Sequence, residues 1–548
     1  MPSSATQTDQ PRDAPETPDA GGVSRLRSAA ASILLRMASV LDARPFLSLI
    51  LLLAIFLPAE LQHSLNKPLW HDELFTFYIS QTPSLRVLLR DMHAADLNPP
   101  LTYLLTRASF AVFGPNTLSA RLPEIAGFAL AMLALFEFVR RRAGTLYGLL
   151  ASTLLYTGVA QQMSVEARPY GLLLGFGALS LLAWQLAWEK KPIAIPLLLI
   201  GGFGMLLSHV FGVYVWAALA AAEAVRIAQS RQIDWAAAVA WLLPILSFAL
   251  YLPLIHMHAT GLYPTAFQPT TDSIFNFYIT RIEREFASLM LTALAILLLV
   301  GPRGLQGRPG WFLTHTEWVS TILIIATPVV LIAQLMRSHA SFFERYGTTA
   351  SLGISILAAI LLARWTGRDL RAALLCILIA LLTSAELPFA IGAVLDGRIF
   401  KSTEPIPELC GACALTAQLN PSLPLVDASG LTFVEMDHRE DTATLSRVFY
   451  LTDPAAAAEY AHANIFDEMA HTKSLFGLRA NVSPYADFIS LHHDFFVLGN
   501  YNYPEDWLLR KLQADGATLR MLGHTSGSYS DHDLYEITFD ARLQSNRP

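Results

Sequence analysis

From residue 46 to residue 395, one apolar run follows another. A membrane-crossing helix needs about 20 mostly apolar residues, within a range near 17–25. Eleven stretches read as spans: 46–62, 119–139, 144–163, 169–188, 193–208, 210–228, 235–257, 286–301, 318–336, 346–364 and 371–394. The chain has 548 residues, of which 15% are charged, well short of the roughly 25% of a soluble protein. Most of it therefore belongs in lipid. The stretch 193–228 is too long for one helix and divides around Ser208-His209, where Gly201, Gly202, Gly204 and Gly212 flank the break. A net charge of −6 gives no reason to expect a nucleic-acid partner.

The flanks differ. Residues 1–24 are polar and read as a disordered tail, and 396–548 have the composition of a water-soluble domain. Basic residues set the orientation, because cytoplasmic loops carry the excess of Lys and Arg. With the N-terminus inside, the inner segments hold Arg25, Arg27, Arg36 and Arg44. They continue with Arg140-Arg141-Arg142, Lys190-Lys191, Arg226 and Arg231, Arg303 and Arg308, and Arg364, Arg368 and Arg371. Every inner loop is basic. The first run has no small-residue cleavage site after it and reads as an uncleaved anchor. The outer segments are then 63–118, 164–168, the turn at His209, 258–285, 337–345 and the domain 396–548. In the first of these, "ELFTFYISQ" and "PPLTYLLTRASFAVF" read as short amphipathic helices in the membrane interface.

Ionisable residues near lipid are expensive and are usually functional or paired. Here they gather on the outer side: Asp72 and Glu73, Asp96 in "DLNPPLTY", Glu166 and Arg168 in "SVEARPYG", His209, and Glu344, Arg345 and Tyr346 in "FFERYG". Taken singly, each has a plainer account. Asp72-Glu73 would serve as headgroup contact, and Pro99-Pro100 as a helix start. Arg168 and Arg345 would snorkel to phosphate headgroups, His209 would be a satisfied turn histidine, and Trp70 and Tyr78 would belong to an aromatic belt. Their shared side is what favours a site.

The order of these pieces resembles the bacterial protein O-mannosyltransferase and aminoarabinose-transferase group, membrane glycosyltransferases of the GT-C fold. The matching pieces are the acids of "WHDE", then "DLNPPLTY", "ARLPE", "SVEARPYGLLL" and the late "ERY", together spanning about residues 46–395. Two departures stand out. Asn98 occupies the histidine position of the family's Asp-x-His-Pro-Pro, and Asn cannot take up a positive charge. "GTTASLG" replaces the usual Leu-Pro-rich continuation after "ERY".

The resemblance implies a GT-C-like transmembrane catalytic domain over 25–395 and a polyprenyl-phosphate sugar as donor. The acceptor would be a hydroxyl of a glycan, lipid or protein, and displacement would proceed with inversion. The expected location is the bacterial inner membrane. Asp72 is then the general base, matching the family's acid at that position, and Glu73 orients it or the acceptor. Asp96, Asn98, Glu166, Tyr170, His209 and Tyr346 would line the substrates. Arg168 and Arg345 would meet the leaving phosphate, because a guanidinium fork binds two phosphate oxygens; Arg281 and Arg284 stand in reserve. No cofactor is required, and no Gly-rich phosphate loop occurs. A divalent ion held by Asp72, Glu73, Asp96 and His209 is the alternative arrangement.

In 396–548, "LPLVDAS", "RVFYLTD", "DFFVLGN" and "ATLRMLGH" read as strands, and "PAAAAEYAHANIF" and "DWLLRKLQADG" as helices. Such alternation indicates a small α/β sheet, for acceptor recognition or as a structural lid. His492-His493 and His532 read as surface histidines. Cys410 and Cys413 form a disulfide loop or remain free thiols, and Cys376 is packing. The competing function is a polytopic transporter or lipid flippase, which predicts midplane charges and internal repeats; neither is evident. A non-catalytic membrane protein with a partner-binding tail is the third reading.

Overall fold

The computed structural model describes residues 20–96, 98–251, 267–300, 312–384, 419–462, 469–503, 506–526 and 531–539, with Phe389, Ile391, Gly392 and Leu395. Each of the eleven apolar runs lies at least partly on helical structure. Among the described residues, four helices are long and apolar enough to cross a membrane by length and composition: Pro45–Asn66, Thr117–Ala143, Tyr170–Trp188 and His315–Ser338. The segments 252–266, 301–311 and 396–418, with Arg303, Arg308, Cys410 and Cys413, lie outside the described residues.

Two elements depart from the sequence reading. The chain is already helical over Ala20–Asp42, ahead of the first expected run. The run 144–163 divides at Gly158 into an α-helix, Thr145–Thr157, and a 3-10 segment, Val159–Val165. A buried carboxylate shapes this second piece: Gln161 Nε2 donates to Glu60 Oε1 at 2.7 Å, and Ser164 Oγ donates to Glu60 Oε2.

The helices Thr117–Ala143 and Tyr170–Trp188 form the closest pair in the bundle. They meet through glycines, and a Cβ on Gly127 would lie 2.6 Å from the Leu172 backbone nitrogen. Small residues permit such an approach where lipid supplies no hydrophobic drive between helices. Around the pair, one continuous apolar core runs from Ala38 to Leu381.

Two short helices, His71–Ser80 and Leu101–Phe113, stand where the interfacial helices were expected. They share a second core with the C-terminal domain, in which Leu74, Phe77 and Tyr103 pack with Phe433, Val434 and Phe476. That domain is built on six strands: β1 Leu425–Asp427, β2 Val448–Thr452, β3 Asn481–Pro484, β4 Asp494–Gly499, β5 Thr518–Ser526 and β6 Asp531–Thr538. Their order is β3-β2-β1-β4-β6-β5. β1 runs parallel to both β2 and β4, with Leu425 opposite Val448 on one side and Phe496 on the other, while β6 is antiparallel to β4 and β5. Parallel neighbours need a crossover, and the helix Gly430–Arg439 lies between β1 and β2 in the chain. The four expected strands are present; β3 and β6 were not foreseen.

Candidate active site

The helix His71–Ser80 opens with two acids in its first turn, Asp72 and Glu73, where negative charge complements the exposed N–H groups. Successive residues on a helix point about 100° apart, so the two acids part company. Glu73 turns inward and is fully buried against Arg121. The pair is bidentate: Arg121 Nε donates to Glu73 Oε1 and Nη2 to Oε2, each at 2.7 Å. Arg121 also donates to the carbonyls of Ser64, Lys67 and Pro68 at 2.6–2.8 Å. Glu73 accepts the Ala167 N–H at 2.6 Å and the Trp70 N–H at 3.3 Å. It therefore ties the end of the Pro45–Asn66 helix, the 71–80 helix and the "EARPY" turn together. Both of its carboxylate oxygens are thus taken up by groups of the protein itself.

Asp72 faces the other way and keeps 19% of its side chain exposed. Arg345 Nη2 lies 2.9 Å from Asp72 Oδ2. Arg168 donates to the Asp72 carbonyl at 3.1 Å and to Asp96 Oδ2 at 2.5 Å. Asn98 Nδ2 donates to Asp96 Oδ1 at 3.0 Å. Burial disfavours the Asp72 carboxylate, but the positive charges beside it, Arg345 first and Arg168 next, bring its pKa below the ordinary value.

Aromatic rings wall this cluster. Arg345 stacks over Phe343, Trp70 and Tyr346 at 4.6, 5.2 and 5.9 Å. The His209 ring lies 5.1 Å from Tyr170 and 6.5 Å from Tyr346. Its Nδ1 accepts the Phe211 N–H at 3.1 Å. Trp70 thus holds a site arginine as well as any interfacial place. Tyr78 meets the C-terminal domain, with its hydroxyl 3.0 Å from His438 Nδ1.

Glu166 pairs with Lys67 at 3.0 Å beside the cluster. Of the two reserve arginines, Arg281 is buried and donates to the Glu344 carbonyl at 3.1 Å, whereas Arg284 reaches the Thr157 carbonyl at 3.4 Å. Among the described residues, Arg168 Nε, Arg345 Nε, and Nε and Nη1 of Arg281 are buried N–H groups with no acceptor. Buried donors are rarely left unmatched, and those of Arg168 and Arg345, which both touch Asp72, suit an oxyanion.

Among the described residues, no three His, Cys, Asp or Glu side chains are grouped for a metal. Glu73 is committed to Arg121 and Asp72 to Arg345, so the four-residue ion site considered from the sequence is not assembled. Residues missed by the sequence reading include His71, Glu435 and Arg121. Arg121 was visible within "ARLPE", and a charged residue opening an apolar helix was its signal.

A family model described as dolichyl-phosphate-mannose-protein mannosyltransferase matches residues 97–256. The match takes in Asn98, Glu166, Arg168, Tyr170 and His209. Among solved structures, ArnT from Cupriavidus metallidurans in the apo state is 12% identical, with 89% of this chain and 97% of that chain covered and a TM-score of 0.50. The same protein bound to undecaprenyl phosphate is 13% identical, with 94% and 98% covered and a TM-score of 0.49. The Archaeoglobus fulgidus oligosaccharyltransferase is 11% identical, with 81% and 67% covered and a TM-score of 0.37. No curated protein matches the sequence significantly. The resemblance read from the motifs holds: the chain is similar to the GT-C glycosyltransferases of the mannosyltransferase and ArnT-like group.

Proposed function

We propose that this chain, a multi-pass membrane protein similar to GT-C glycosyltransferases, moves a sugar from a polyprenyl-phosphate donor to an acceptor hydroxyl. The observation that carries this reading is the pair of unmatched buried N–H groups on Arg168 and Arg345, both of which touch Asp72, whose carboxylate is partly exposed. One half of the site suits a phosphate and the other a proton. The undecaprenyl phosphate bound to the ArnT relative supports a lipid of that kind as donor carrier.

Asp72 takes the proton of the acceptor hydroxyl as its oxygen attacks the anomeric carbon. The bond from that carbon to the phosphate oxygen breaks on the opposite side, so configuration inverts. The electron pair stays on the lipid phosphate, where the arginines hold the developing charge. Asp96 fixes Arg168, with Asn98 supporting Asp96, while Tyr170, His209 and Tyr346 wall the sugar. Glu166 and its Lys67 partner border the donor side. The reading places the enzyme in the bacterial inner membrane, with the N-terminus cytoplasmic and the α/β domain outside, as the basic inner loops support.

The test replaces Asp72 with Asn and measures sugar release from undecaprenyl-phosphate donors in vesicles. General-base catalysis contributes about 10²–10⁴-fold, and a loss in that range is the expected result. Full activity in D72N would remove Asp72 as the base.

A further inference from the structure

The C-terminal domain places one carboxylate at the head of the helix that carries Asp72. Glu435, on the helix Gly430–Arg439, has a side chain only 7% exposed. Its Oε1 accepts the His71 backbone N–H at 2.8 Å and lies 2.9 Å from His71 Nδ1. The first of these contacts satisfies an N–H that a helix start leaves without an intrahelical partner. The second selects a tautomer, because a carboxylate only accepts and Nδ1 must therefore carry the hydrogen. The remaining ring nitrogen, Nε2, then faces Asp72 Oδ1 at 3.8 Å. Arg439 braces the clamp, lying 3.4 Å from Glu435 Oε2 and donating to the Leu69 carbonyl at 2.7 Å.

We propose that Glu435 is a positioning residue of the transfer site, and that the His71 ring it orients receives the proton from Asp72. The inference rests on Asp72 as the base. Asp72 takes the hydroxyl proton while the oxygen–carbon bond forms and the carbon–phosphate-oxygen bond breaks. The 3.8 Å gap between Asp72 Oδ1 and His71 Nε2 closes to hydrogen-bond distance as the loaded site tightens, and the proton passes across it. The resulting imidazolium lies between the carboxylates of Asp72 and Glu435, Asp72 returns to its ionised form, and the proton leaves to water from the partly exposed ring. Arg345 on the other Asp72 oxygen makes this transfer useful, because a carboxylate held by a guanidinium retains a proton poorly.

The test uses the full chain in phosphatidylethanolamine–phosphatidylglycerol vesicles. Undecaprenyl-phosphate mannose, glucose and 4-amino-4-deoxyarabinose serve as probe donors, with water as the common acceptor. E435A lowers kcat by about tenfold or more, because the His71 backbone and ring lose a charge-assisted bond; the donor KM stays within about twofold, because Glu435 touches no donor. E435Q restores most of kcat, because its amide oxygen accepts in the same place. Y78F breaks a different contact with the same domain, that to His438, and leaves kcat unchanged. An unaltered kcat in E435A, or equal losses in E435A and Y78F, would overturn the proposal. Spectra of 15N-labelled histidine give a readout independent of turnover. They show His71 protonated at Nδ1 in the native chain and lose that signature in E435A; an unchanged signature also overturns the proposal. Failure to cleave any donor, with the signature behaving as expected, counts against the transferase reading and leaves the clamp standing.

Discussion

Arg345 and Asp72 are 273 residues apart in the chain and 2.9 Å apart in space. The pair couples the two halves of the site. The guanidinium proposed to meet a lipid phosphate is the one that holds the carboxylate proposed as base. One side chain serves both: its Nη2 holds Asp72 while its buried Nε has no acceptor among the described residues.

The first prediction concerns pH. Burial raises the pKa of Asp72, while Arg345 is the largest influence that lowers it, ahead of Arg168, and the net direction is downward. The ionised, base-competent form thus persists below the usual carboxylate range. In R345Q that influence is gone, so the acid limb of kcat/KM moves to higher pH. The same shift gives Asp72 a stabilising contribution that is present above its ordinary value of 3.8 and is lost as pH falls through the folded-state value. A kcat/KM profile on the acid side checks this, and an acid limb unmoved in R345Q would refute it.

Breaking the Glu73–Arg121 pair should damage folding before chemistry. Removing one partner of a buried ion pair costs about 3–5 kcal/mol, because the other charge stays buried without compensation. E73A and R121M should therefore unfold at lower temperature in detergent and yield less folded protein. A native melting curve for E73A would contradict the positioning role given to Glu73.

Asp96 is expected to act on the donor through Arg168. A hydrogen bond to a charged group contributes about 1.5–3 kcal/mol, so D96N should raise the donor KM by roughly tenfold or more and leave the fold intact. Steady-state kinetics with a polyprenyl-phosphate sugar distinguishes this from a base role, which would lower kcat instead.

Gly127 tests the helix crossing beneath the site. A methyl there would press on the Leu172 backbone, and overpacking a tight contact costs about 1–3 kcal/mol. G127A should lower thermal stability and, because Tyr170 opens the helix that is displaced, reduce activity as well. Unchanged stability would mean that the two helices can separate without loss.

Much of the site was legible because its charges stand out against an apolar background. Asp72, Asp96, Arg168 and Arg345 were all found as charges on one side of the membrane, and the structure brings them together. What pattern alone left open was the direction each side chain takes. Asp72 and Glu73 are neighbours of the same chemical type, and only the turn of the helix sends one to the site and the other to Arg121. His71 lay between Trp70 and Asp72 in the quoted motif, but its partner is 364 residues away, beyond any local signal. In the α/β domain, the alternation of β1, β2, β4 and β5 with helices was readable. β3 is four residues long, with only Val482 apolar apart from its closing Pro484, and carried too little signal to be seen.

The span between His71 and Glu435 also sets an order of events in the life of the chain. At about 5–20 residues per second, the 364 residues between them take roughly 20–70 s to synthesise. Through that interval the helix bearing Asp72 is already made while its cap does not yet exist. A nascent or prematurely terminated chain therefore carries the Asp72 helix without the carboxylate that caps it, and the contact forms only when the later-made domain has folded onto that helix.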